Sequence, residues 1–144
     1  YIFKKLESFI KKTKKQVNDI KIFIIGFAFK GEPETSDMRD STTLEMVQLI
    51  KNLTSWEIFG YDPIITKDEI EKLEIKGVSL QEGFQDADCV LIMNNHRSYG
   101  DIDILGLLQR MKKPALLFDG WHLFPLKEIE RIDGISYEGL SGRN

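Results

Sequence analysis

The sequence predicts a three-layer, doubly wound α/β domain with a mostly parallel sheet and one helix leading into it. Three observations predict it. Short apolar runs rich in β-branched and aromatic residues alternate with amphipathic stretches at helical spacing. The first of these runs, Lys21–Gly26 (KIFIIG), is almost continuously apolar, as a central strand covered on both faces must be. At 144 residues, 42% hydrophobic and 30% charged, the chain fits a single domain with a substantial core.

In chain order, Ile2, Phe3, Leu6, Phe9, Ile10 and Val17 recur at helical spacing, with lysines largely between them. This is an amphipathic helix with a solvated basic face. The Lys21–Gly26 strand follows, then a polar loop. Thr42 to Leu53 reads as a helix: Thr42-Thr43-Leu44-Glu45 fits a capping box, and Leu44, Val47 and Ile50 form a stripe widened by Met46, Leu49 and Leu53. Trp56–Tyr61 is a second strand, stopped by Asp62-Pro63 because proline cannot donate to a ladder. Asp88–Met93 and Ala115–Asp119 are further strands, and Ile135–Glu138 a short peripheral one. Helical patterns lie at 66–74, 103–111 and 125–131. Strands separated by helices imply right-handed crossovers and a parallel, Rossmann-like sheet. Ligands of such sheets bind beyond the carboxyl ends of the strands. The residues to examine therefore follow each strand: Gly26–Gly31, Tyr61-Asp62-Pro63, Asn94-Asn95-His96-Arg97 and Asp119-Gly120-Trp121-His122.

Charge narrows the function. The net charge is −3, yet residues 1–20 hold six lysines against Glu7 and Asp19, so they carry +4 and the remaining residues −7. A basic arm for nucleic acid would interleave Arg and stacking aromatic residues with its lysines; this segment has no Arg, and Phe3 and Phe9 fall on the apolar stripe, so neither nucleic acid nor membrane is an expected partner. No apolar run approaches the roughly 18 residues of a membrane span, and the charged opening YIFKKLESFIKK does not read as a signal peptide; the expected location is the cytoplasm. One cysteine and two histidines make no metal site and no disulfide framework.

The loop after the first strand, Gly26-Phe27-Ala28-Phe29-Lys30-Gly31, offers glycine for a tight turn, an aromatic face for a base or ribose and an ammonium for a phosphate. Equally, Phe27 and Phe29 could pack beneath it. It is not a P-loop, since Glu32 follows Gly31, and not the dinucleotide fingerprint, since Phe27-Ala28-Phe29 fills the G-x-G-x-x-G pattern. A signalling receiver domain would need carboxylates where Gly26-Phe27 and Asn94-Asn95 stand, so that function is not the expected one.

The string GFAFKGEPETSDMRDST, with the helix and Tyr61-Asp62-Pro63 after it, resembles the C-terminal domain of the UDP-glucose/GDP-mannose dehydrogenase family. Asp86-Ala87-Asp88 before DCVLIM, then NNHRSYGDID, FDGWHLF and YEGLSGR, continue the resemblance over about residues 18–144. The resemblance implies the substrate-nucleotide-binding domain (19–144) of an NAD-dependent enzyme that oxidises the C6 hydroxyl of a UDP-sugar to a carboxylate. Residues 1–18 would end a helix connecting it to a central region. It also implies that an upstream Rossmann domain holds NAD and a central region supplies the catalytic cysteine. The chain is then not catalytic alone, and the full-length enzyme is a homodimer or larger, with a place in polysaccharide biosynthesis.

By the same resemblance Phe29 and Lys30 contact the nucleotide, and Arg39 reaches toward NAD across the cleft. Trp121 stands where the family often has a substrate-contacting Arg after Asp-Gly, and is taken as a substrate contact. His96 stands where UDP-glucose enzymes commonly have Trp, which looks more like the branch acting on UDP-N-acetylhexosamines. The spacing from Lys30 to Arg39 is longer than in many members. The competing reading is a stand-alone nucleotide-binding or oligomerisation module without chemistry.

Four residues have plainer readings. Cys89 lies in an apolar strand without a nearby cation, as a buried small hydrophobe does. His96 reads as a loop residue bonded to backbone, and Asp62 and Asp119 as turn residues.

Overall fold

The computed structural model describes residues 1–27 and 42–139. Among them, strands β1 (Lys21–Ile25), β2 (Glu57–Tyr61), β3 (Lys76–Gly77), β4 (Cys89–Ile92), β5 (Ala115–Asp119) and β6 (Ile135–Glu138) form one sheet. Its order is β3-β2-β1-β4-β5-β6, and every adjacent pair is parallel. The helices are α1 (Ile2–Lys12), α2 (Thr42–Leu53), α3 (Lys67–Glu71), α4 (Leu80–Phe84), α5 (Ile104–Leu108) and α6 (Leu126–Glu130), with a 3-10 turn at Arg97–Asp101. The doubly wound fold expected from the alternating pattern is present.

The period-two geometry of strands divides the core into two layers. Ile22 and Ile24 of β1, Cys89 and Leu91 of β4, and Leu116 and Phe118 of β5 face one side, against α1, α2 and Ile70 of α3. Phe23, Ile25, Val90, Ile92, Ala115 and Leu117 face the other, against α4, α5 and α6. Both faces are covered, which is why β1, β4 and β5 read as nearly unbroken apolar runs.

Helix α1 docks on the first layer through Ile2, Phe3, Leu6, Phe9 and Ile10, while Lys4, Lys11 and Lys12 stay exposed. Burying each such side chain contributes about 1.5–3 kcal/mol. An exposed lysine pair contributes at most about 1 kcal/mol, so the apolar stripe, not the charge, decides where this helix lies. The helix stops at Lys12, and Val17, expected on the stripe, is 59% exposed. In α2 the buried stripe runs through Thr43, Met46, Val47 and Ile50, whereas Leu49 and Leu53 are exposed. The apolar residues there outnumber the positions the sheet can cover, so periodicity overestimates the buried face. No helix among the described residues is long and apolar enough to cross a membrane.

The segment after Lys15 is pinned at the amino edge of the sheet. Lys15 Nζ lies 2.7 Å from Asp88 Oδ1, with the two side chains 8% and 2% exposed. The same ammonium donates to Lys112 O at 3.2 Å, and Asp88 Oδ2 accepts the Lys21 N–H at 2.8 Å. One buried carboxylate thus ties the end of the α1 segment to the starts of β1 and β4.

Two elements escape the periodicity analysis. β3 is only two residues long, and α4 only five. The local signal for α4 is its capping box: Glu82 N–H donates to Ser79 Oγ while the Glu82 carboxylate accepts the Ser79 N–H. A second capping box, Thr66 with Glu69, opens α3. Gly83 lets α4 approach β1 closely, since a Cβ there would lie 2.1 Å from the Phe23 ring.

Candidate functional site

The strand register sets the carboxyl edge of the sheet. Ile25 is level with Tyr61 on one side and with Ile92 on the other, and Ile92 is level with Asp119. Gly26, Asp62, Met93 and Gly120 therefore follow from one row. The crossover from β1 runs toward β2, whereas β4 begins the half of the sheet wound in the opposite direction. The sheet order therefore reverses between β1 and β4, the switch point at which ligands of such sheets bind.

The root of the β1 loop is held from several sides. Gly26 has φ +106°, and its N–H donates to Tyr61 O at 2.9 Å. A Cβ on Gly26 would lie 2.5 Å from Asn94 Oδ1, so only glycine admits both the turn and the Asn94 side chain. Thr43 Oγ1 donates to Gly26 O at 2.7 Å, which joins the start of α2 to the end of β1. Phe27 N–H donates to Asp62 Oδ2 at 2.5 Å. The Phe27 ring is fully buried, and a Cβ on Gly60 of β2 would lie 2.7 Å from it. Of the two readings of Phe27, packing beneath the loop is the observed one.

Two buried carboxylates organise this edge, one at the end of β2 and one at the end of β5. Asp62 is 6% exposed and also accepts N–H bonds from Ile64 at 2.7 Å and Ile65 at 3.0 Å. Asp119 is fully buried and accepts the Trp121 N–H at 3.0 Å, the Leu123 N–H at 2.6 Å and the Tyr137 hydroxyl at 2.6 Å. Each carboxylate ties the loop that follows it. The turn chemistry read for both aspartates is present in full.

Trp121 emerges from the turn that Asp119 holds, and its side chain is 41% exposed at the same edge as Gly26. Phe29, Lys30 and Arg39 lie outside the described residues. His96 is 6% exposed: its Nδ1 accepts the Ser98 N–H at 3.0 Å and lies 2.8 Å from Ser98 Oγ. A nitrogen that accepts a backbone N–H carries no proton, so this arrangement favours the tautomer with hydrogen on Nε2. His96 starts the 3-10 turn, and its loop-bonding reading holds.

Beside this edge, Asn94 is 3% exposed and accepts the buried Tyr99 hydroxyl on Oδ1 at 2.5 Å. Sequence reasoning placed Asn94 at this edge but missed Tyr99 and Tyr137 as parts of it. Tyr137 lies on β6, where nothing local connects it with Asp119 eighteen residues before it. Tyr99 also borders a cleft of about 570 Å³ between α4 and α5, lined by Gln81, Ser98, Asp101, Asp103 and Arg110 among others.

Cys89 is fully buried in β4, and burial, then the Asp88 charge, pushes its thiol far above the usual range. It is a core residue, not a nucleophile. Native protein is expected to resist iodoacetamide at pH 8 and to be alkylated once unfolded in urea. Native alkylation at the rate of a free thiol would contradict its burial. Among the described residues no three His, Cys, Asp or Glu side chains gather as a metal site requires.

Comparisons with known proteins converge on one family. The model of the UDP-glucose/GDP-mannose dehydrogenase family, UDP binding domain, matches residues 23–125. UDP-glucose 6-dehydrogenase 2 of Arabidopsis thaliana is 26% identical over 146 residues, covering 84% of this chain and 30% of the relative. UDP-glucose 6-dehydrogenase of Rhizobium meliloti is 30% identical over 124 residues, covering 83% of this chain and 26% of the relative. The solved UDP-D-ManNAc dehydrogenase of Pyrococcus horikoshii matches 93% of this chain, and 28% of its own, with TM-score 0.71 at 23% identity. The NDP-N-acetyl-D-galactosaminuronic acid dehydrogenase of Methanosarcina mazei Go1 matches 95% of this chain, and 28% of its own, with TM-score 0.77 at 16% identity. At such identities these two structures establish the shared fold. The chain spans about 30% of the length of the curated relatives it matches.

Proposed function

Because the chain belongs to the UDP-glucose/GDP-mannose dehydrogenase family, as its UDP binding domain, we propose that it holds the nucleotide end of a UDP-sugar. The C6 hydroxyl of that sugar is oxidised to the carboxylate by a longer NAD-dependent protein. Residues 1–18 then end the connecting helix and 19–144 form the nucleotide-sugar-binding domain. The observation that supports this reading is the family match over residues 23–125, which takes in the end of β1 and the β1–β4 switch point of the sheet. Phe29 and Lys30 contact the nucleotide, Trp121 stacks at the substrate, and Arg39 points its guanidinium fork at the NAD. A charge-assisted bond of the Lys30 kind is worth about 1.5–3 kcal/mol.

NAD itself belongs on another domain. The sequence after β1 departs from the dinucleotide fingerprint: Ala28 stands where its second glycine would let the backbone approach a pyrophosphate. The chain's part is therefore binding and orientation, not hydride transfer. Within this reading the enzyme is cytoplasmic, a homodimer or larger, and serves polysaccharide biosynthesis. His96 at the position where UDP-glucose enzymes carry Trp supports a UDP-N-acetylhexosamine as the sugar.

The test is a titration of the isotope-labelled chain with UDP, GDP and NAD, followed by backbone amide shifts. UDP is expected to move Gly26–Gly31 and the Asp119–His122 loop, NAD to move neither, and Lys30→Ala to weaken UDP binding at least tenfold. Stronger shifts with GDP than with UDP would reassign the base, and shifts with NAD alone would refute the reading.

A further inference from the structure

The end of β1 is held by a chain of buried hydrogen bonds that starts on the 3-10 turn after β4. The Tyr99 hydroxyl, on the 3-10 turn after β4, donates to Asn94 Oδ1 at 2.5 Å. Asn94 Nδ2 lies 3.5 Å from Asp62 Oδ2, and that same oxygen accepts the Phe27 N–H at 2.5 Å. The Asn94 side chain also occupies the space beside the Gly26 Cα. Tyr99, Asn94 and Asp62 are 1%, 3% and 6% exposed. Groups held in so dry a place keep fixed partners, because an unpaired buried polar atom is costly.

Resting on the nucleotide-binding reading above, we propose that Tyr99 and Asn94 are positioning residues for the nucleotide: through Asp62 they set the direction in which the chain leaves β1 after Phe27. Loops that carry binding residues need a rigid root to present them, and here the root is a side-chain network, not a strand. The Tyr99 hydroxyl orients the Asn94 amide: with Oδ1 accepting from Tyr99, Nδ2 turns toward Asp62. A flipped amide would set Oδ1 against the Asp62 carboxylate and release the Phe27 anchor. Burial, with the Asp62 charge second, pushes the Tyr99 hydroxyl well above the usual phenol range, so it remains a donor at any working pH.

Tyr99→Phe keeps the ring and deletes only the donor. In this variant UDP is expected to bind about tenfold more weakly, the factor of one lost buried hydrogen bond. Hydrogen exchange at the Phe27 amide is expected to rise at least fivefold without nucleotide. Ile104→Val, in the same apolar layer as Tyr99, loses packing without touching the network and serves as the control. UDP binding of Tyr99→Phe equal to wild type overturns the inference, as does an equal loss in Ile104→Val, which would make the effect general destabilisation. If the wild-type chain itself takes no UDP, the nucleotide reading fails separately. The positioning of the β1 exit is then decided by Phe27 exchange, which rises in Tyr99→Phe if the network holds that root and is unchanged if it does not.

Discussion

Asp88→Ala is expected to cost about 3–5 kcal/mol, the usual loss when one partner of a buried ion pair is removed. The substitution leaves the Lys15 ammonium buried beside Lys112 O at 3.2 Å without its counter-charge, and strips the Lys21 N–H of its acceptor. Against a total stability of roughly 5–15 kcal/mol, that is about a fifth of the whole or more. The melting temperature should fall by roughly 10–20 °C, read by calorimetry or circular dichroism. The double variant Lys15→Met/Asp88→Leu separates two causes. Removing both charges abolishes the stranded ammonium but not the orphaned Lys21 N–H, so it should recover most of the loss and not all of it. A fall below about 1 kcal/mol for Asp88→Ala would place the pair in the class of solvated surface bridges, contrary to its burial.

The second large effect is expected at Gly26→Ala, and it should combine stability with binding. Its φ of +106° is strained for any L residue, at about 1–3 kcal/mol. The new methyl would also meet Asn94 Oδ1 at 2.5 Å, Asn94 Cγ at 2.7 Å and the Asn94 backbone nitrogen at 2.8 Å. Overpacking of that kind costs about 1–3 kcal/mol more. The backbone nitrogen cannot move without displacing β4, so the strain falls on the β1 exit. UDP binding should be lost even at temperatures where the variant is folded, as measured by the same amide titration. Retention of wild-type affinity in a folded Gly26→Ala protein would show that the loop root does not control the nucleotide site.

Much of the architecture was legible locally. β1, β4 and β5 announced themselves because a strand covered on both faces must be apolar at successive positions, and KIFII, CVLI and ALLFD are. Helix α1 was legible because its stripe and its lysines obey the 3.6-residue period. β3 and α4 were not, because two and five residues are too few to express a period. Val17, Leu49 and Leu53 were misassigned for the opposite reason: they fit the pattern, but no layer reaches them. At the site, Asp62, Asp119 and Cys89 were read correctly from short-range rules of turn chemistry and burial.

The sequence by itself determined the doubly wound fold and, through five ordered motifs, the family. Pattern and motif are properties of neighbouring residues, and they survive without coordinates. Only the tertiary structure decided that Phe27 packs inward, and that Asp88 is the buried partner of Lys15 across 73 positions. It also joined Tyr99, Asn94 and Asp62 at the root of the β1 loop. Those contacts come from strands brought side by side by crossovers, and one hydrogen bond between distant residues leaves no periodic trace along the chain.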